Sequence, residues 1–99
     1  MTIYQVLQTT GLPVAYSHFK TAQTPPYLVY IGTGQTNFEA DDAYYYGYNR
    51  YQVEYYFTQK NEANEAAIES ALLSNGFRYA KSEDNYIEAE GVFVIYYYL

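Results

Sequence analysis

Between residues 51 and 58 the chain alternates with a period of two. Tyr51, Val53, Tyr55 and Phe57 interleave with Gln52, Glu54, Tyr56 and Thr58. Successive side chains of a strand point to opposite faces, so the pattern predicts a sheet strand with one buried face. The same stretch displays the chain's main compositional bias. Sixteen residues are Tyr and five are Phe, while only 16% are charged. A disordered acidic chain is poor in aromatics, so this chain folds. Strands favour aromatics, and tyrosine, with its apolar ring and polar tip, is enriched at protein interfaces.

The other elements follow from spacing and punctuation. Ile3, Val6, Leu7 and Thr10 share one face of a short helix over 3–11, capped by Thr2 and ended by Gly11 and Pro13. Residues 14–19 predict a short strand, and 27–31 a strand that is apolar on both faces. Gly32-Thr33-Gly34-Gln35-Thr36-Asn37 reads as a turn-forming break, 38–42 as a polar loop, and 43–48 as a short strand. Residues 61–75 predict the main helix, with Asn61 as N-cap and Gly76 closing it. Ile68, Ala71 and Leu72 form its apolar stripe, while Glu62, Glu65, Glu69 and Ser70 read as a solvated flank. Strands are expected over 77–81, near 86–88 and over 92–98. This order predicts a single α+β domain over 1–99: a mostly antiparallel sheet packed against one main helix and a short N-terminal helix.

Length and charge remove several functions. A chain of 99 residues supports one modest core and leaves little room for a deep active site. The absence of Cys removes disulfides and thiolate metal sites, and a lone His18 cannot build a multi-histidine site. A net charge of −6 argues against tight nucleic-acid binding and anionic membranes. No apolar run approaches the roughly 20 residues of a membrane span. No basic region followed by an apolar stretch opens the chain, so no secretion signal is expected.

The sequence offers little for chemistry. Gly32 and Gly34 have GxG spacing, but no third glycine and no following helix or Gly-Lys-Ser/Thr end completes a phosphate loop. Glu39, Asp41 and Asp42 lack the alternating ligands and central glycine of a calcium loop. His18 has neither a nucleophile nor an orienting acid in any recognisable motif. No enzyme activity, cofactor or metal is therefore expected. The group Tyr44, Tyr45, Tyr46 and Tyr48 beside Asp41 and Asp42 has no plain structural explanation and is the candidate subunit interface.

Tyr51-Gln-Val-Glu-Tyr-Tyr-Phe, then Lys60-Asn61-Glu62 opening a helix, then Ile68-Glu-Ser-Ala-Leu-Leu-Ser-Asn-Gly-Phe77, then Lys81-Ser-Glu-Asp-Asn-Tyr-Ile and a terminal aromatic strand carry a resemblance. In element order the sequence resembles small tail-terminator, tail-completion or head–tail joining proteins of tailed bacteriophages and of prophages of Gram-positive bacteria. The resemblance implies a sheet flanked by helices and a structural role in a ring, commonly a hexamer. The partners it implies are copies of the chain itself, tail-tube proteins and head-connector proteins. It also implies host cytoplasm during assembly and then the virion tail or head–tail junction. Two other classes stand beside it: an acidic inhibitor that mimics DNA, and a small enzyme or ligand-binding or protein-interaction module.

Overall fold

The computed structural model describes residues 1–39 and 45–99, with side chains described outside 35–49. The order of elements is α1 (Ile3–Gln8), β1 (Val14–Tyr16), β2 (Tyr27–Glu39), β3 (Tyr45–Phe57), α2 (Glu62–Ser74), β4 (Ala80–Lys81), β5 (Asn85–Ile87) and β6 (Val92–Tyr98). The strands form one six-stranded sheet in the order β1-β2-β3-β6-β4, with β5 also pairing β6. Among the described residues only the β1–β2 pair is parallel. The expected α+β architecture is present, with both helices on one face of a mostly antiparallel sheet.

The helices begin and end as their residues dictate. Thr2 and Gln5 form a reciprocal capping box on α1. The Asn61 side chain accepts the Asn64 N–H at the start of α2. At the other end Gly76 adopts φ +83°, and the Gly76 and Phe77 N–H groups donate to the Leu73 and Leu72 carbonyls. This double closure needs a left-handed residue, which glycine supplies without a Cβ clash.

Alternation then builds the core. Val53, Tyr55 and Phe57 from β3, Leu28 from β2, and Ile95 and Tyr97 from β6 pack beneath Ile3, Val6, Leu7, Ile68 and Leu72 of the helices. The opposite sheet face, called the open face below, carries Tyr27, Val29, Glu54, Tyr56, Val94, Tyr96 and Tyr98 by the same period-two rule. Val29 is nevertheless buried, because the segment 17–23 folds back over this end of the sheet and Phe19 packs edge-on against Tyr27 at 5.2 Å.

Several expectations are corrected. The first strand stops at Tyr16, because Ser17 sits at φ +66° and turns the chain out of line. A β-branched residue tolerates that conformation poorly, whereas glycine adopts it freely. Ser17→Val is therefore expected to cost about 1–2 kcal/mol and Ser17→Gly under about 0.5 kcal/mol, read by chemical denaturation. Of the strand expected over 77–81, only Ala80–Lys81 pairs. The break expected at 32–37 is not a turn. β2 runs on through it to Glu39, with a bulge between Gly32 and Gly34, and Phe38 and Glu39 belong to the strand rather than to a loop. The short strand expected over 43–48 is, from Tyr45 onward, the first part of a thirteen-residue β3.

Glu65 gives the largest correction. It was expected on a solvated flank, yet it is 3% exposed. Its Oε1 accepts from Lys81 Nζ at 2.9 Å and its Oε2 lies 2.7 Å from Lys60 Nζ. Lys81 also reaches Glu69 Oε2 at 2.7 Å, and that carboxylate accepts the buried Tyr97 hydroxyl at 2.8 Å. Lys60 is shared further with Asp84 at 3.0 Å. Burial pushes the Glu65 and Glu69 carboxyls up, but bonds from lysine, with Tyr97 added at Glu69, outweigh it and hold both below the ordinary carboxylate range. The network fastens α2 to β4 and β6 across the core.

Candidate assembly surface

The β2–β3 hairpin is longer than the sheet that contains it. β1 meets β2 only at Leu28–Tyr30, with partners Val14–Tyr16, and β6 meets β3 only from Gln52 to Phe57. Past the bulge, which follows the Gly32↔Tyr51 pair, the hairpin continues for six more register pairs, from Gly34↔Arg50 to Glu39↔Tyr45. At about 3.3 Å per residue this arm extends roughly 17 Å past the body of the sheet. The dimensions agree: the molecule measures 52 × 27 × 25 Å with a radius of gyration of 15.0 Å, against about 13 Å for a compact chain of this length.

The bulge determines the pattern of the arm. Before it, even-numbered β2 residues share the helix-covered face with odd-numbered β3 residues. The step from Gly32↔Tyr51 to Gly34↔Arg50 inserts Thr33 unmatched and reverses the parity of β2. Thr36 and Phe38 therefore share a face with Tyr48 and Tyr46, while Gln35, Asn37 and Glu39 share the other with Asn49, Gly47 and Tyr45. The face holding Phe38, Tyr46 and Tyr48 continues the open face of the body. Without the bulge those aromatic positions would divide between two faces.

On the body, the open face is organised around one carboxylate. Glu54 Oε1 accepts the Tyr56 hydroxyl at 2.6 Å and Oε2 accepts Gln52 Nε2 at 3.0 Å. Tyr27 stacks on Tyr56 with ring centroids 5.0 Å apart, and Tyr96 stacks on Tyr98 at 6.1 Å. Register places Tyr96 directly across from Glu54, and the Tyr27–Tyr56 pair one step along the ladder. Burial, then the bond to Glu54, pushes the Tyr56 phenol far above its ordinary value. Burial and nearby Glu54 also raise Tyr27, with Glu90 contributing, and Tyr96. Among the described residues no Lys, Arg or His forms an ion pair with Glu54.

A cleft of about 380 Å³ lies at the end of the open face away from the arm, between segment 17–23 and Tyr27, Val29, Tyr56 and Glu90. His18 is exposed at its rim, with Nδ1 3.3 Å from Ser17 Oγ. Among the described residues no group of three or more His, Cys, Asp or Glu could hold a metal ion, and no helix is long and apolar enough to cross a membrane.

The candidate interface residues separate on the structure. Asp41, Asp42 and Tyr44 lie outside the described residues. Tyr45, Tyr46 and Tyr48 lie on the arm portion of β3, with Tyr46 and Tyr48 on the open-face side and Tyr45 on the other. Sequence reasoning did not single out Glu54, Tyr56, Tyr27, Tyr96 or Tyr98 as one surface. The even positions of the 51–58 alternation were the available signal, since the polar side of that strand is itself half tyrosine. No protein-family model, no curated protein and no solved structure matches this chain.

Proposed function

We propose that this chain is a non-enzymatic structural protein that assembles with copies of itself, as a ring component of the tail-terminator or head–tail joining kind in a tailed phage or prophage. The two-stranded arm is the observation that carries self-assembly. A ribbon of two strands is at best marginally stable in water. Among the described residues no third strand pairs with this one along its distal six pairs. A neighbouring subunit supplies the missing support. The phage setting rests on the resemblance in element order, and the partners it brings are tail-tube and head-connector proteins.

The acids of the chain weigh against DNA mimicry. Glu65, Glu69 and Asp84 are bonded to Lys60 and Lys81, and Glu54 is set among phenols, so these carboxylates do not form one phosphate-like row. The reading is tested by sedimentation velocity across a wide concentration range, alone and with purified tail tubes. The expected result is a concentration-dependent, closed oligomer that is lost when 34–50 is replaced by a two-residue turn. A monomer under every condition would overturn it.

A further inference from the structure

We propose that the two free edges of the arm pair with each other between copies, the β3 edge of one subunit adding antiparallel to the β2 edge of the next. The proposal rests on the self-assembly reading and specifies its contact.

Both edges open at the same rung of the ladder. On the β6 side the last backbone bond runs from the Leu99 N–H to the Tyr51 carbonyl, at 3.0 Å. On the β1 side the Gly32 N–H donates to the Tyr16 hydroxyl at 3.3 Å. Gly32 and Tyr51 are register partners. Alternate residues of a strand aim their N–H and C=O groups at opposite edges. The edge to which Tyr51 points is therefore continued along the arm by Asn49, Gly47 and Tyr45. On β2, Tyr30 accepts from the Ser17 N–H, so Tyr30 and Gly32 point toward β1. The bulge then passes that role to the odd positions Gln35, Asn37 and Glu39. Among the described residues no strand pairs with either of these edges.

The fold blunts its other edges. β1 has three residues and ends where Ser17 turns at φ +66°. β4 has two residues and β5 three. Very short edge strands resist pairing with other chains, and Pro and Lys on an edge do the same. The arm has none of these protections. Its six pairs outlast every strand beside them, and residues 34–39 and 45–50 include no Pro and no Lys. They do include Thr36, Phe38, Tyr45, Tyr46 and Tyr48, of the types that favour strands.

Direction selects the partner edge. β2 runs out along the arm and β3 returns. Around a rotation axis all arms point the same way, so β3 of one lies beside β2 of the next and the two run antiparallel. Every edge is then paired, and a ring closes the band of strands. A twofold pairing of like edges would join only two copies and leave one edge of each arm open.

The test uses the full chain. Asn37→Pro and Asn49→Pro each remove an N–H from one free edge without removing a β2–β3 ladder bond. Each alone is expected to weaken association at least about tenfold by sedimentation velocity, with folding of the body checked by circular dichroism. The chain has no Cys, so introduced thiols report the contact independently of any effect of proline on the arm itself. Asn37→Cys is mixed in turn with Tyr45→Cys, Gly47→Cys and Asn49→Cys and oxidised. One mixture is expected to give a mixed disulfide-linked dimer in far higher yield than either of its variants gives alone. A proline variant that associates like the parent, like-with-like dimers in equal or higher yield, or an assembled chain that gives no mixed dimer would overturn this edge pairing while leaving self-assembly standing. A parent chain that stays monomeric at every concentration would overturn both.

Discussion

Replacing Lys81 with methionine is expected to destabilise the fold by about 2–3 kcal/mol at neutral pH, more than Lys60→Met. Among the described residues Lys81 is the only base that touches both Glu65 and Glu69. Removing it leaves Glu65, 3% exposed, with Lys60 alone, and leaves Glu69 with the Tyr97 hydroxyl. Uncompensated buried charge commonly costs about 3–5 kcal/mol, and the remaining bonds and the partial exposure of Lys81 reduce that here. Lys60 is the more exposed partner and its loss leaves Lys81 in place. The effect also has a pH signature. The carboxyls sit below their ordinary values in the fold, so their stabilisation is present above about pH 4.3 and lost as pH falls through the lowered values. The deficit of Lys81→Met should therefore shrink in acid, because a protonated Glu65 no longer needs the cation. Replacing Glu65 by leucine together with Lys81→Met should recover most of the loss, since an apolar pair of similar volume avoids desolvating charge. Urea denaturation at pH 7 and pH 4 checks all three statements, and a Lys81→Met variant as stable as the parent at pH 7 would refute the account of the network.

Glu65 also marks where the sequence stops being informative. Helix α2 was legible because its signals are local: Asn61 before it, Gly76 after it, and Ile68 and Leu72 one turn apart. The burial of Glu65 depends on Lys81, sixteen residues away, and on the fold bringing β4 against the helix. A helical pattern alone assigns a glutamate to solvent, because the cost of burying it is offset only by partners the pattern does not contain. The arm failed for a related reason. Two glycines around Thr33 signal a break when read locally, yet the strand absorbs the extra residue as a bulge, with Gly34 at φ +112°. Whether a Gly-Thr-Gly stretch turns or bulges is decided by what stands across the ladder, here Arg50 and Tyr51. By contrast, the buried side of β3 was fully legible from its alternation. The tyrosines on its reverse side were visible too, but only their cross-strand neighbours Tyr27 and Tyr96 make them one surface.

Buried tyrosines make the protein sensitive to base, and Tyr97, on the core side of β6, gives the sharpest test. Burial pushes its phenol far up, and the bond it donates to Glu69 adds to the effect. Below about pH 10 the folded and unfolded chains both hold this proton, and stability is indifferent to it. Above that, the unfolded chain releases the proton while the folded chain retains it, so stability falls by about 1.4 kcal/mol per pH unit for this one group. Tyr56 and Tyr55, raised first by burial, act in the same direction. So does Lys81, where burial lowers the ammonium but bonds to Glu65 and Glu69 more than reverse it, so that its contribution is lost above about pH 10.4. A domain of this size has about 5–15 kcal/mol in total, so several such slopes acting together should produce cooperative unfolding by about pH 12. Tyr97→Phe isolates one of them. At pH 7 the variant should be about 1 kcal/mol less stable, having lost the hydrogen bond to Glu69. By pH 12 the parent has lost about 2.7 kcal/mol through Tyr97 that the variant cannot lose, so the order reverses and the two stability curves cross between about pH 10 and pH 11. Denaturant titrations followed by circular dichroism at pH 7, about pH 10 and about pH 11, below the alkaline unfolding, measure the crossing. Curves that stay parallel above pH 10 would show that the Tyr97 phenol ionises as readily in the fold as in the unfolded chain, and would remove the link between its burial beside Glu69 and alkaline unfolding.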